Sequence, residues 1–281
     1  MEITFRGVRG SMPVPGPETL RYGGNTPCVE LRQNGSALFL DAGTGLVAPV
    51  NGAPKGDSAT ILLTHTHWDH IQGLPFFALL YRSHATVRVL GPAQGQVPLK
   101  QAVERLLSPE HFPVTPDALA GRLTVSEVGE GPFGTDGFRI EAFRLRHGAV
   151  TFGYRIWDST GGLSFSFLTD NELGDSTDTG LSSWRERLVQ FLRGSDVLVH
   201  DTMLREESWP VRRGWGHSTA HQAIELAARA ECGKLVLFHH DPAHDDEEMD
   251  RFVDRAEECA ARHAPGLDLV AACEGMTLTL A

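Results

Sequence analysis

Three histidines and one aspartate lie within six residues of the chain, in the order His65, His67, Asp69 and His70. Neutral imidazoles and carboxylates are ligands of zinc, and donor sets that are richer in oxygen also accept manganese. A lone histidine on an apolar face is more often structural, but four donors in the pattern H-x-H-x-D-H favour a metal site. Because Asp69 lies two residues after His67 and beside His70, the segment can serve two metals.

Two metal ions a few ångströms apart are a common device for splitting a phosphoester or a similar bond with water. The apolar run at residues 59–63 directly precedes the cluster and predicts a buried strand. A strand that ends in such a cluster directs its donors into one space at the edge of a sheet. The sequence therefore predicts a rigidly held metal centre that is open to substrate.

The same arrangement, an apolar strand followed by a histidine or an aspartate, recurs along the chain. It places candidate site residues at five strand ends, namely His65, His147, Asp170, Asp201 and His239. Other interpretations are open at this point, because His147 could be a surface residue, Asp170 could cap a turn, and His240 competes with His239. Four further histidines are interpreted as structural or exposed: His84, His111, His221 and His263.

Apolar periodicity predicts strands throughout the chain and more helices towards its end. The Asn34-Gly35 pair between two apolar runs predicts a hairpin, and residues 7–26 predict a long loop rich in glycine and proline. Predicted strands cover residues 3–5, 28–31, 37–40, 59–63, 86–90, 123–128, 138–145, 152–157, 163–168, 197–199 and 235–238. Predicted helices cover residues 74–81, 99–107, 181–193, 219–230 and 246–263. No linker or repeat is visible, so residues 1–281 are predicted to form a single domain.

The composition limits the classes of function. With 25 basic and 36 acidic residues the chain has a formal net charge of −11, which argues against a general nucleic-acid binder. The four cysteines are dispersed without a C-x-x-C motif, which is typical of reduced thiols. The first residues have no apolar signal region and no run is long enough to span a bilayer, so we expect a cytoplasmic protein.

On these residues the chain resembles the metallo-β-lactamase superfamily. The resemblance rests on the H-x-H-x-D-H motif at residues 65–70, followed in order by His147, Asp170 and His239. It implies an α/β fold, the αββα sandwich, with two metals at one edge of the sheets. It also implies two ligand sets that Asp170 bridges: His65, His67 and His147 for one metal, and Asp69, His70 and His239 for the other.

A second motif resembles one branch of that superfamily. The run His217-Ser218-Thr219, followed by a helix and a strand that ends at His239, resembles the HST signature of the ribonuclease Z-like phosphodiesterases. In that group the preceding strand ends in an acidic residue, which is Asp201 here where glutamate is expected. Only 23 positions separate His147 from Asp170, an interval in which tRNA-processing ribonuclease Z carries a long arm that grips tRNA. The lack of room for a tRNA arm and the negative charge favour the small-molecule branch, whose members cleave cyclic nucleotides or other cyclic phosphates and often form homodimers.

The resemblance implies that a small phosphodiester substrate is hydrolysed by metal-bound hydroxide, with zinc as the expected metal and manganese as the alternative. Asp69 would orient the hydroxide, His217 would protonate the leaving group, and Asp201 would hold His217 by a hydrogen bond. A lactonase or thioesterase on the same scaffold, an RNA-processing nuclease and a non-enzymatic binding module stay open as alternatives. The HST run favours the phosphodiesterase, although residues 217–219 could be no more than the cap of a helix.

Overall fold

The computed structural model describes residues 1–47, 56–157, 161–175 and 177–280. Its strands are β1 Glu2–Gly7, β2 Cys28–Gln33, β3 Ser36–Leu40, β4 Ser58–Leu62, β5 Thr86–Gly91, β6 Arg122–Glu127, β7 Gly131–Thr135, β8 Phe138–Arg144, β9 Phe152–Trp157, β10 Ser164–Leu168, β11 Val197–Asp201, β12 Lys234–Phe238, β13 Asp268–Ala271 and β14 Thr277–Thr279. Its α-helices are α1 Trp68–Ile71, α2 Leu99–Leu106, α3 Ser182–Leu192, α4 Trp209–Arg212, α5 Ala220–Arg229 and α6 Asp246–His263.

The strands form two seven-stranded mixed sheets within the described residues. The first sheet has the order β14-β1-β2-β3-β4-β5-β6, and the second has the order β13-β12-β11-β10-β9-β8-β7. Strands β3 to β6 run parallel in the first sheet, and strands β10 to β13 run parallel in the second. Because the carboxyl ends of parallel strands lie at one edge of a sheet, each sheet collects several strand ends on a single side.

Three apolar layers hold the sheets and helices together. The central layer joins inward-facing side chains of both sheets, among them the fully buried Phe5, Leu38, Ile140, Phe167 and Phe238. A second layer packs helices α3, α5 and α6 against the second sheet, and a third packs α2 and its neighbouring turns against the first. This order of layers confirms the predicted αββα sandwich.

Local sequence signals account for most element boundaries. Asn34 and Gly35 both have positive φ, 50° and 84°, as the predicted two-residue hairpin turn requires. Helix α6 has the predicted bounds, and its N-cap Asp245 accepts a hydrogen bond from the Glu248 N–H at 2.7 Å. Helix α5 begins after Thr219, which forms a capping box with Gln222.

One predicted helix is wrong. The apolar segment 74–81 forms two short 3₁₀ turns, Leu74–Phe76 and Ala78–Tyr81, in place of a helix. Phe77 between them is extended, with φ −68° and ψ 115°, so the hydrogen-bond ladder is interrupted there. No helix among the described residues is long and apolar enough to cross a membrane.

Candidate dinuclear metal site

The seven residues predicted as metal ligands meet at one edge of the sandwich. They lie just beyond the ends of strands β4, β8, β10 and β12. One donor atom from each of His65, His67, His147 and Asp170 lies within 4.8 Å of the other three. A second group has the same spacing and shares Asp170: Asp69, His70, Asp170 and His239.

The carboxylate of Asp170 lies between the two groups. Its Oδ2 is 3.7 Å from Nε2 of His65 and 3.5 Å from Nε2 of His147. Its Oδ1 is 3.1 Å from Nε2 of His70 and 3.1 Å from Nε2 of His239. Each oxygen therefore serves a different group, which is the geometry that a carboxylate shared by two cations requires.

Unpartnered buried nitrogens show that the residues fit divalent cations. Nε2 of His65 and Nε2 of His70 are buried and make no hydrogen bond to any described residue. A buried nitrogen without a partner is destabilising, and a bond to a metal would satisfy it. The donors are nitrogens and carboxylate oxygens without a thiol, a set that suits zinc and also admits manganese.

The electrostatics of the cluster favour the same conclusion. Burial lowers the pKa of His65, His67 and His147, which keeps these imidazoles neutral and able to donate a lone pair. Burial opposes ionisation of Asp170, but the neighbouring histidines, His239 first, hold its pKa well below the usual range. In the first group, neutral imidazoles beside an ionised carboxylate are the protonation states that bind a cation. In the second group burial opposes the charge of His70, but the carboxylates of Asp69, Asp170 and Asp41 raise its pKa, so a cation that binds there would displace a proton from His70.

Hydrogen bonds behind the ligands fix their orientation. Nδ1 of His70 is 2.8 Å from Oδ2 of Asp41, whose Oδ1 accepts the N–H of Thr64 at 2.8 Å. Nδ1 of His147 donates to the carbonyl of Gly216 at 3.1 Å. Such partners hold the ring and leave Nε2 for the metal. Asp41 has no predicted function, although its place directly after strand β3 is the same strand-end signal that identifies the ligands.

The backbone is strained at three positions of this site. Asp41, Asp170 and His239 have φ values of 60°, 56° and 61°, in the left-handed region that side chains other than glycine rarely adopt. Two glycines provide clearance: a Cβ on Gly10 would lie 2.6 Å from the His239 ring, and one on Gly216 would lie 2.0 Å from Nδ1 of His147. Strain of this kind clusters at functional sites, where surrounding contacts maintain it.

A histidine–aspartate pair lies directly beside the ligands. Nδ1 of His217 is 2.8 Å from Oδ2 of the buried Asp201, as the sequence predicts. The His217 ring is stacked on His239 at 5.2 Å between centroids and lies 5.4 Å from the His147 ring. Burial opposes the charge of His217, but the Asp201 carboxylate raises its pKa to about 9. Asp201 therefore orients the ring and stabilises its protonated form.

Geometry distinguishes His239 from His240 as a candidate ligand. Nε2 of His239 is 3.2 Å from Oδ2 of Asp69, inside the second ligand group. Nε2 of His240 donates to the carbonyl of Ala272 at 2.8 Å, and His240 is in neither ligand group. Burial lowers the pKa of His240 to about 3, which is the state of a neutral core residue.

Comparisons with known proteins identify the family. A profile described as the beta-lactamase superfamily domain matches residues 37–240. Ribonuclease Z of Thermobifida fusca is 30% identical over 271 residues, covering 82% of each chain. Human tRNase Z, short form, is 22% identical with a TM-score of 0.65 over 99% of each chain, and a diphosphatase of the PhnP family is 17% identical with a TM-score of 0.65 over 100% of this chain and 98% of its own. The chain belongs to the metallo-β-lactamase superfamily of hydrolases.

Proposed function

We propose that the protein is a dinuclear, metal-dependent phosphodiesterase whose substrate is a small phosphodiester, a cyclic nucleotide or another cyclic phosphate. The observation that carries the proposal is the pair of His217 and Asp201, 2.8 Å apart and adjacent to the ligands His147 and His239. Hydrolysis of a phosphodiester with a poor leaving group needs an acid at the departing oxygen, and this pair provides one.

Different residues would bind the cations, orient the nucleophile and protonate the leaving group. Two bound divalent cations would supply an activated water and neutralise charge on the phosphate oxygens. As water adds to phosphorus and the bond to the leaving oxygen breaks, His217 donates the proton from Nε2 to that oxygen. Nδ1 of His217 stays bonded to Asp201, which stabilises the ring in either state. Asp69, whose Oδ2 accepts the N–H of Ser11 at 2.8 Å, orients the nucleophile.

Three features support a small substrate. Strands β9 and β10 pair antiparallel, and only residues 158–163 lie between them in the sequence, a number too small for a long arm that grips tRNA. The net charge of −11 is also unfavourable for a polyanion. A cavity of about 440 Å³ beside His147, which Arg146 and Trp184 also line, is of a size for one nucleotide.

An RNA-processing nuclease is the second candidate. The Thermobifida fusca relative at 30% identity is named a ribonuclease Z, and that name is the observation in its favour. The same catalytic groups would cleave either substrate, so the difference lies in how the substrate is held.

The remaining expectations belong to the same proposal. The predominance of imidazole donors favours zinc over manganese. All four cysteines are free, as a reducing compartment such as the cytoplasm would keep them. A homodimer and a single domain over residues 1–281 complete the proposal, the homodimer by analogy with the small-molecule branch.

The test compares substrates on the metal-loaded protein. Protein loaded with zinc or manganese is assayed on bis(p-nitrophenyl) phosphate, a panel of cyclic nucleotides, a precursor tRNA, a lactone and a thioester. We expect metal-dependent cleavage of the diester and of at least one cyclic phosphate, both lost in Asp170→Ala. Cleavage of the lactone or thioester alone would refute the phosphodiesterase, and a higher kcat/KM on precursor tRNA than on any cyclic phosphate would establish the second candidate.

A further inference from the structure

Two packed helices on the outer face of the second sheet bring three metal-binding side chains together. His221 lies in the first turn of α5, and Cys259 and His263 lie one turn apart at the end of α6. One nitrogen of each imidazole and the sulfur of Cys259 all lie within 4.8 Å of one another. We propose that these three residues, the α5–α6 cluster, form a further divalent-metal site that suits zinc and shares no residue with the catalytic ligands.

The spacing of the donors is that of a zinc site. Cys259 and His263 are four residues apart on one helix, so both side chains are on the same face. Helix α5 supplies the third donor, and α5 and α6 are in contact along the surface of the second sheet. Two ligands one turn apart on a helix with others from a neighbouring element recur in structural zinc sites. A thiolate with two imidazoles selects zinc over magnesium or calcium, which prefer oxygen ligands.

The donor atoms are close to one another, and one of them lacks a hydrogen-bond partner when no metal is bound. The rings of His221 and His263 are 4.9 Å apart between centroids. Nε2 of His221 is buried and makes no hydrogen bond to the described part of the chain, although Oε1 of Glu225 lies 3.5 Å away. Because this carboxylate lies beside the unpartnered nitrogen, it adds negative charge where a cation bound to Nε2 would lie.

The surroundings favour a cation. The cluster opens on a cavity of about 340 Å³, which leaves room for a water as the fourth ligand. Carboxylates outnumber guanidinium groups by three to two among the charged residues that line it: Glu206, Glu207, Glu258, Arg255 and Arg262. Glu206 also accepts the backbone N–H of His221 at 3.1 Å, which places its carboxylate beside the first turn of α5.

The thiol must lose its proton when the metal binds. Burial and the carboxylate of Glu206 raise the pKa of Cys259, so the free site holds a thiol. A sulfur–metal bond forms as the S–H bond breaks, and the proton passes to solvent. Binding is therefore expected to weaken as the pH falls.

Cobalt(II) is the probe that separates this site from the catalytic one. The proposed catalytic ligands are histidines and aspartates, whereas the α5–α6 cluster is the one candidate metal group among the described residues that contains a thiol. Near-ultraviolet absorption of a cobalt–thiolate bond therefore distinguishes the two sites. The protein is first loaded with zinc at the catalytic site and then titrated with cobalt(II). We expect the thiolate band to appear with one further equivalent of cobalt and to disappear when excess zinc is added.

Matched variants assign the band to its ligands. Cys259→Ser should abolish it, and His263→Ala should weaken cobalt binding at least about tenfold. Cys273→Ser and His111→Ala are the controls and should leave both band and affinity unchanged, since neither residue is in the cluster. The absence of the band in the wild-type protein, or its persistence in Cys259→Ser, would overturn the proposal.

An independent measurement on the wild-type chain covers the case in which a variant fails to fold. Iodoacetamide alkylates free thiols, and peptide mass spectrometry reports each cysteine separately. Added zinc should slow the alkylation of Cys259 at least about tenfold and leave Cys273 unaffected, because a metal-bound thiolate is a poorer nucleophile. Equal rates at Cys259 with and without zinc would refute the site, whatever the behaviour of the variants.

Discussion

The proposed catalytic cluster and the α5–α6 cluster both contain histidines, with aspartates in the first and a cysteine in the second, and they lie in two different settings. The catalytic donors follow the ends of strands and are largely buried, with His65, His70 and His239 at 0% exposure. The α5–α6 donors lie on the surface of two helices, where Cys259 is half-buried and His263 is exposed. Donors that are buried at strand ends are held rigidly, whereas donors on the faces of two helices form a site that connects α5 to α6.

The difference is also visible in the backbone and in the supporting hydrogen bonds. Two catalytic ligands, Asp170 and His239, have left-handed backbone, and Asp41 behind them has it too. The residues of the α5–α6 cluster are all in regular helix. A preorganised reaction centre thus contains conformations that are locally unfavourable, whereas a site that only joins two helices needs none.

The largest effect is expected from Asp170→Ala. Asp170 is the one residue shared by both catalytic groups, so its removal exposes two cations to each other without a bridging carboxylate. Turnover should fall by more than the roughly 10⁴-fold that loss of a general acid can cost. Steady-state kinetics with metal analysis is the measurement.

Two further variants serve as controls for Asp170→Ala. Asp170→Asn tolerates the left-handed backbone and should also be inactive, which separates the loss of charge from a backbone effect. Asp117→Ala removes an exposed carboxylate and should retain activity. Activity in Asp170→Asn close to that of the wild type would contradict the bridging role.

His217→Ala is expected to affect turnover without affecting the metals. His217 contacts the rings of two ligands but lies outside both catalytic ligand groups. Turnover should fall roughly 10²- to 10⁴-fold, as for other general acids, while metal content stays near that of the wild type. His111→Ala, at an exposed histidine, is the matched control. A large loss of metal would instead show that His217 is a ligand.

A substrate with a better leaving group sharpens the assignment of His217. The aryl leaving group of an activated diester departs without taking up a proton. His217→Ala should therefore lose less activity on such a diester than on an alkyl or cyclic phosphate. Equal losses on both substrates would contradict the role of a general acid and indicate a structural role.

Two kinds of signal in the sequence predicted that the candidate ligands lie together, as the structure places them. The apolar strands that precede most of them indicate a common sheet edge, and the resemblance to the superfamily implies which residues form each ligand set. The same strand-end signal applies to Asp41 after β3, but a carboxylate that supports a ligand from behind completes no spacing motif. Its role became visible through the 2.8 Å contact with His70.

The α5–α6 cluster could not be predicted in this way. Cys259 and His263 have a suggestive spacing, but His221 precedes Cys259 by 38 residues and lies on a different helix. Whether the donors meet depends on the crossing of α5 and α6, which hydrophobic periodicity does not specify. The strands β7, β13 and β14 were not predicted for a related reason, namely that pairing with neighbours defines them more than their composition does. β13 and β14 have only four and three residues, and β7, GPFGT, contains two glycines and a proline.

Asp41→Asn tests the hydrogen bond that orients His70, and its effect on metal affinity is expected to be intermediate. Asparagine accepts the left-handed backbone of this position, so the change removes the charge that holds His70. Metal affinity should fall about 10- to 100-fold, as for other partners of ligating histidines. Competition with a chelator of known affinity gives the number. An unchanged affinity would show that the Asp41–His70 contact does not contribute to metal binding.

Two glycines allow a matched test of clearance beside His147. Gly214 and Gly216 share a φ of +88°, and both donate their N–H to Glu172. A Cβ on Gly216 would lie 2.0 Å from Nδ1 of His147, whereas one on Gly214 would meet nothing within 4 Å in the described structure.

Both alanine variants should lose about 1–2 kcal/mol of folding free energy from the left-handed backbone. Gly216→Ala alone should also lose metal from the first ligand group, because His147 must move. Chemical denaturation and metal analysis separate the two effects. Equal metal content in the two variants would contradict the prediction that His147 needs the space beside Gly216.

The smallest effect is expected from Cys259→Ser in the presence of a chelator. Without metal the change replaces one half-buried atom, so the free energy of unfolding should shift by less than about 0.5 kcal/mol. With free zinc at about 100 times the dissociation constant of the α5–α6 cluster, the wild type should gain about 2.7 kcal/mol that the variant lacks. Zinc binding at the catalytic site is common to both proteins, so the difference between their urea denaturation curves isolates the helix site. A difference that is the same in chelator and in zinc would mean that Cys259 stabilises the fold by packing alone, and that the contrast between the two clusters does not include a metal.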